Sequence, residues 1–132
     1  MFPNQNAERF YIEGWLHETT SIFIDSILKA QKIQMIQGDS LEIGVYMGKT
    51  LAKFVVDRNE NEKTFGIDTF NVIYPQEGIS KDILPEAENN IKSLNRYFEI
   101  KGETILIRGN SQDQSVISKI KDRCFRVVSI DG

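Results

Sequence analysis

The sequence predicts an α/β fold: a parallel sheet with helices on both faces, preceded by one N-terminal helix. Three observations lead there. Apolar stretches of strand length alternate with stretches of helical period, in the order strand, helix, strand, helix, strand, helix, strand. Two glycines, Gly44 and Gly48, bound a tight turn between the first strand and its helix. An acidic residue, Asp68, closes the second strand. Such folds bind ligands beyond the carboxyl ends of their strands, so the residues just after each strand are the ones to inspect.

Residues 1–9 are polar and expected to be loose. From about Trp15 to Ala30, Leu16, Phe23, Ile27 and Ala30 recur at helical spacing, with Ile22 and Ile24 widening the stripe. One amphipathic helix is expected there. Gln37-Gly38-Asp39 is a turn signal. Leu41 to Val45 reads as the first strand, and Lys49 to about Asp57 as a helix with Leu51, Phe54 and Val55 inward. A polar connection over 57–62 leads to the second strand, Thr64 to Asp68. Asn71 to Asp82 reads as a long loop, with Pro75 and Gly78 as breakers. Pro85 suits the first turn of the next helix, whose apolar stripe is Ala87, Ile91, Leu94 and Phe98. Thr104 to Ile107 is the third strand. Ser111 with Gln114 has the form of a capping box opening a short helix that carries Val116, Ile117 and Ile120. Phe125 to Ile130 is the fourth strand, two residues before the last residue, so the sheet is expected to be truncated there.

A chain of 132 residues suffices for one domain with a core. Its 40% hydrophobic and 27% charged residues are the balance of a globular protein, and a net charge of −3 offers no footprint for nucleic acid. Cys124 is the single cysteine, which excludes an internal disulfide and points to a reducing compartment, the cytoplasm. Met1 to Ala7 lacks the apolar core of a signal peptide. No apolar run has membrane-spanning length, so no membrane partner is expected.

Two nucleotide motifs compete for the glycine turn and fit poorly. Gly48-Lys49-Thr50 suggests a P-loop, but that motif needs four residues between its glycines. Here only three, Val45, Tyr46 and Met47, separate them. The dinucleotide fingerprint puts its middle glycine on Tyr46, whose side chain would block a pyrophosphate. A Ser-His-Asp or Cys-His nucleophile site has no support, because the one histidine, His17, lies at the start of the first helix.

Leu41-Glu42-Ile43-Gly44-Val45-Tyr46-Met47-Gly48-Lys49-Thr50 resembles motif I of class I S-adenosylmethionine (SAM)-dependent methyltransferases. It is most similar to the methyltransferase family 24 group of macrocin O-methyltransferase-like and cephalosporin hydroxylase-like proteins, which often show E-I-G-x-x-x-G-[KRS]-[ST]. The resemblance extends upstream to Glu13-Gly14-Trp15-Leu16 and downstream to Gly66-Ile67-Asp68-Thr69-Phe70 and Ile130-Asp131-Gly132. It implies a Rossmann-like sheet with the strand order third, second, first, fourth. Residues 1–132 are then a partial domain, with an N-terminal helical segment over 1–36 and a SAM-binding half over 37–132.

The resemblance implies cofactor contacts at Glu42, Gly44, Tyr46, Gly48, Asp68, Ser111 and Asp131. Physical chemistry supports several of them. SAM has no pyrophosphate, and its amino-acid end carries an ammonium that needs acceptors. The turn at Gly44 can offer carbonyls at close range, and Glu42 a negative charge. Asp68 lies 24 residues after Gly44, close to the position where a carboxylate holds a ribose diol. Ser111 or Gln112 is placed to meet the adenine edge, and Ser111 equally to cap a helix. Phe70 either lines the adenosine pocket or packs in the core. In the resembled enzymes an aspartate at Asp131 binds a divalent metal such as Mg²⁺ or lies beside the transferred methyl. Mg²⁺ needs several oxygen ligands, and only this one is visible.

The expected function is therefore methyl transfer from SAM to a small-molecule hydroxyl, on a sugar or natural-product-like acceptor, with no catalytic residue identified. Two alternatives stand beside it: a non-catalytic SAM- or nucleotide-binding or interaction domain, and a P-loop NTPase. The chain alone is expected to be inactive, and its half-sheet to be able to pair with a second copy as a homo-oligomer.

Overall fold

The computed structural model describes residues 11–131. The expectation for residues 1–9, and Gly132 of the final motif, lie outside them. Ten elements follow in chain order: α1 (Glu18–Ile33), β1 (Asp39–Ile43), α2 (Lys49–Asp57), β2 (Lys63–Asp68), β3 (Asn71–Tyr74), β4 (Ile79–Asp82), α3 (Leu84–Phe98), β5 (Glu103–Arg108), α4 (Gln114–Ile117) and β6 (Phe125–Ile130). Four of them form a fully parallel sheet in the order β5-β2-β1-β6. That is the expected order third, second, first, fourth. Among the described residues no helix is long and apolar enough to cross a membrane.

Helices cover the two faces unequally. α1, α2 and α3 bury Leu28, Leu51, Ala52, Phe54, Val55, Ala87, Ile91 and Leu94 on one face. The other face carries only the four-residue α4, whose Val116 packs on Leu41, Phe65, Ile67 and Ile107. Gly66 lets the first layer close up: a Cβ there would stand 2.8 Å from Val45 Cγ2 and 2.9 Å from Leu106 Cδ2.

Three expectations are corrected. α1 starts three residues later than Trp15 and buries a different face. Leu28 and Ile24 point inward, while Ile22 and Phe23 are 57% and 64% exposed. Polar anchors choose that face: Lys53 Nζ donates to Asp25 at 2.7 Å, and Gln31 Nε2 to the Arg126 carbonyl at 2.6 Å. Arg126 then bonds Glu62 at 2.9 Å, tying α1 to the sheet floor.

The second correction is the long loop over 71–82, which is a β-hairpin in register Asn71–Asp82 to Tyr74–Ile79. Pro75 and Gly78 are its turn rather than a break in structure, with Gly78 at φ +64°. Arg108 fastens its base by a bidentate contact to Asp82 at 2.8 and 2.9 Å. The third correction is the capping box. α4 has Asp113, not Ser111, at its N-cap position, because an Asn110 side-chain turn onto the Gln112 N–H (2.9 Å) uses up the residues before it.

β6 is an edge strand among the described residues, with Val128 49% and Ile130 74% exposed on the same face as α4. An unpaired apolar edge is a template for another strand. The 132-residue chain should therefore self-associate at micromolar concentration, and Val128→Lys should shift it toward monomer in light scattering. Equal molar masses for both proteins would remove β6 as the contact.

Candidate cofactor crevice

The crevice opens where β1, β2, β5 and β6 end. Beyond Ile43 the chain makes three left-handed steps, at Gly44 (φ 87°), Tyr46 (φ 55°) and Gly48 (φ 93°), before α2 begins. Glycine takes these angles freely, and Tyr46 must be held there. Asp68 does the holding. Its Oδ2 accepts from the N–H groups of both Val45 and Tyr46 at 2.8 Å. Its Oδ1 accepts from the Phe70 N–H at 2.9 Å. Asn90 on α3 secures the far side by donating to the Met47 carbonyl at 2.9 Å.

A cavity of about 310 Å³ lies over this turn, lined by Glu42, Gly44, Tyr46, Asp68 and Asp131. A second of about 220 Å³ shares Gly44 and Asp68 with it and reaches Gly109, Asn110 and Ser111. Together they make one crevice across the strand ends. It contains Glu42, Gly44, Tyr46, Asp68, Ser111 and Asp131 of the residues expected from sequence. Gly48 lines neither cavity, and a Cβ added to it would stand 3.5 Å from Ile91 Cδ1 of α3. Phe70 is fully buried in the core and lines neither cavity. His17 sits exposed at the start of α1.

Sequence reasoning missed one wall. Glu13, Gly14 and Trp15 line the larger cavity with Lys49 and Thr50. Ile12 buries itself in the core, and Lys49 Nζ donates to the Gly14 carbonyl at 3.2 Å, which docks this segment on the turn. The motif Glu13-Gly14-Trp15-Leu16 was the available signal, but it has no period from which a contact could be read.

Electrostatics separate the ligand classes. Four N–H groups of the turn are already engaged: Gly44 on the Ile67 carbonyl, Val45 and Tyr46 on Asp68, and Gly48 on the Val45 carbonyl. A phosphate would meet the Asp68 carboxylate where a P-loop offers N–H donors. The crevice is acidic instead, with Glu13, Glu42, Asp68 and Asp131 on its walls. Glu42 is 1% exposed and its Oε2 has no hydrogen-bond partner. Burial, helped by the Asp131 charge, pushes its pKa up to about 8. Burial thus favours the protonated form of Glu42, whose place before Gly44 suits it to supply a negative charge or to orient the loop.

The fold has solved counterparts. The chain is similar in fold to CalS11. The crystal structure of CalS11, a calicheamicin methyltransferase, matches with a TM-score of 0.64 and 14% identity over 96% of this chain and 58% of that one. The apo structure of CalS11, described as a TDP-rhamnose 3'-O-methyltransferase of calicheamicin biosynthesis, matches with a TM-score of 0.60 and 16% identity over 98% and 58%. The chain thus spans less than two thirds of the length of these structures. At such identity the likeness is one of fold, a Rossmann-like parallel sheet with flanking helices. No protein-family model and no curated protein matches the chain.

A divalent metal does not fit the residues present. Among the described residues no three His, Cys, Asp or Glu side chains converge on one point. Asp131 offers one carboxylate where a hard divalent cation takes six or more oxygen ligands.

Proposed function

We propose that the chain carries the cofactor half of a SAM-dependent methyltransferase acting on a small-molecule hydroxyl. The observation that carries this reading is the acidic crevice whose turn N–H groups are already closed off by Asp68. Such a site suits a cationic ligand with a diol and disfavours a phosphate. Residues 37–132 supply the crevice, and the N-terminal segment over 1–36 adds the Glu13–Trp15 wall. The motif resemblance to the family 24 group and the fold shared with a sugar O-methyltransferase favour a sugar or natural-product-like acceptor.

Each residue has a distinct task. Glu42 ionises to receive the ammonium group. Asp68 fixes the turn through Oδ2 and offers one ribose hydroxyl the position on Oδ1 that the Thr69 hydroxyl meets only at 3.5 Å, since a carboxylate has about four acceptor positions. Ser111 bounds the end of the crevice suited to the base. Held here, SAM would supply its sulfonium methyl for in-line transfer to a hydroxyl oxygen, the C–S bond breaking to leave S-adenosylhomocysteine and the hydroxyl proton passing to solvent. The protein's share of the rate is orientation, and no general base is assigned.

Titration calorimetry tests the reading. SAM and S-adenosylhomocysteine should bind the full chain and Mg-ATP should not. Binding of Mg-ATP without either adenosyl ligand would refute it. Gly44→Val should abolish SAM binding, because a β-branched residue cannot hold φ 87°.

A further inference from the structure

We propose that Trp15, Tyr46 and Glu13 form an acceptor platform for a pyranose ring, its C–H face laid on the indole and one hydroxyl turned to the Glu13 carboxylate. The proposal rests on the methyl-transfer reading and names its substrate class. Trp15 is the only tryptophan in the chain and is 85% exposed, although it lines the same cavity as Glu42, Gly44 and Asp68. Large aromatic surface left in water beside a polar cavity is characteristic of a binding face.

The neighbouring geometry is built to keep it there. Tyr46 holds a left-handed backbone that bulky residues avoid, and Asp68 fixes it by accepting from its N–H. The side chain consequently leaves the turn toward the mouth of the crevice. Its ring meets Trp15 at 5.9 Å between centroids with a 33° tilt, and its hydroxyl donates to Glu13 Oε1 at 3.4 Å. Two rings leaning on each other present one face, not a slot between parallel planes. A slot suits a flat aromatic acceptor. A single face with a carboxylate at its edge suits a ring with an apolar C–H side and hydroxyls around its rim.

Because Trp15 is the sole tryptophan, its fluorescence reads the platform directly. The full chain would be titrated with the methyl pyranosides of glucose, galactose and fucose, and with catechol, each with and without S-adenosylhomocysteine. At least one pyranoside should quench Trp15 and shift its emission to the blue, and catechol should bind more weakly. By calorimetry, Trp15→Ala should weaken that pyranoside roughly tenfold, the scale of one aromatic stacking contact. Trp15→Phe should restore it. If S-adenosylhomocysteine binds but no pyranoside does, or catechol binds more tightly than all three, the platform is overturned. If a pyranoside perturbs Trp15 while S-adenosylhomocysteine fails to bind, the methyl-transfer reading falls instead.

Discussion

Glu42→Gln should make the empty protein more stable at pH 8 and flatten the dependence of its stability on pH. The Glu42 carboxyl is 1% exposed, one of its oxygens has no partner, and its pKa is pushed from 4.5 to about 8. Desolvation is the largest cause. The charges of Asp131 and Asp68 act in the same direction, and the Leu51 N–H at the start of α2 opposes them. In the unfolded chain Glu42 loses its proton near pH 4.5, whereas in the folded protein it keeps it to about pH 8. Across that window the folded state binds more protons, so stability is complete below pH 4.5 and falls as pH rises toward 8. The loss is on the order of 4–5 kcal/mol, from about 1.4 kcal/mol per pKa unit. Glutamine fills the same volume and carries no titrating proton, so it removes the slope. The readout is urea unfolding of both proteins at pH 5 and pH 8. Parallel losses in the two would show that Glu42 is not the group responsible. SAM should act in the opposite sense on the wild-type protein, because its cationic groups favour the ionised carboxylate. Binding should then release a proton, a release absent from Glu42→Gln.

The parallel sheet was legible because its strands are short apolar runs between polar connections, and buried strands of this kind admit few other readings. β6 has the bounds expected, and α2 turns Leu51, Phe54 and Val55 inward as expected. The α1 face was not legible. Its apolar residues occur on several sides of the helix, and the choice among them depends on Lys53 and Arg126, which are distant in sequence. The β3–β4 hairpin was hidden because its strands have four residues each and are mostly exposed, so no alternation marks them. In the crevice, position after a strand identified Glu42, Gly44, Asp68 and Asp131. Position could not give the proton on Glu42, which depends on how deeply α2 covers it. Nor could it show that Gly48 serves the contact with Ile91, or that Trp15 lines the crevice from a segment without period.

Asp68→Ala should weaken S-adenosylhomocysteine binding by about 2–3 kcal/mol, roughly 30- to 160-fold. Two losses combine in that figure. One is the acceptor for a ribose hydroxyl. Sequence spacing suggested a carboxylate free to take both hydroxyls, but three of its acceptor positions already serve the N–H groups of Val45, Tyr46 and Phe70. The fourth meets only the Thr69 hydroxyl at 3.5 Å, so one ribose hydroxyl, taking that place, is its share. The other loss is the turn itself. Without Oδ2, the Val45 and Tyr46 N–H groups lose the partner that holds the Tyr46 backbone at φ 55°. The turn then relaxes toward conformations that no longer shape the cavity, and ordering it again draws on the binding energy. Asp68→Asn separates the two. Its amide oxygen can still accept from the turn, whereas its NH₂ can accept from neither Phe70 nor ribose. Asn should thus bind S-adenosylhomocysteine with an affinity between wild type and Ala, and its thermal unfolding without ligand should be nearer to wild type. An Asn variant as weak as Ala in binding yet as stable as wild type would assign the whole effect to ribose. Unchanged affinity in Asp68→Ala would mean that the adenosine does not lie across the ends of β1 and β2.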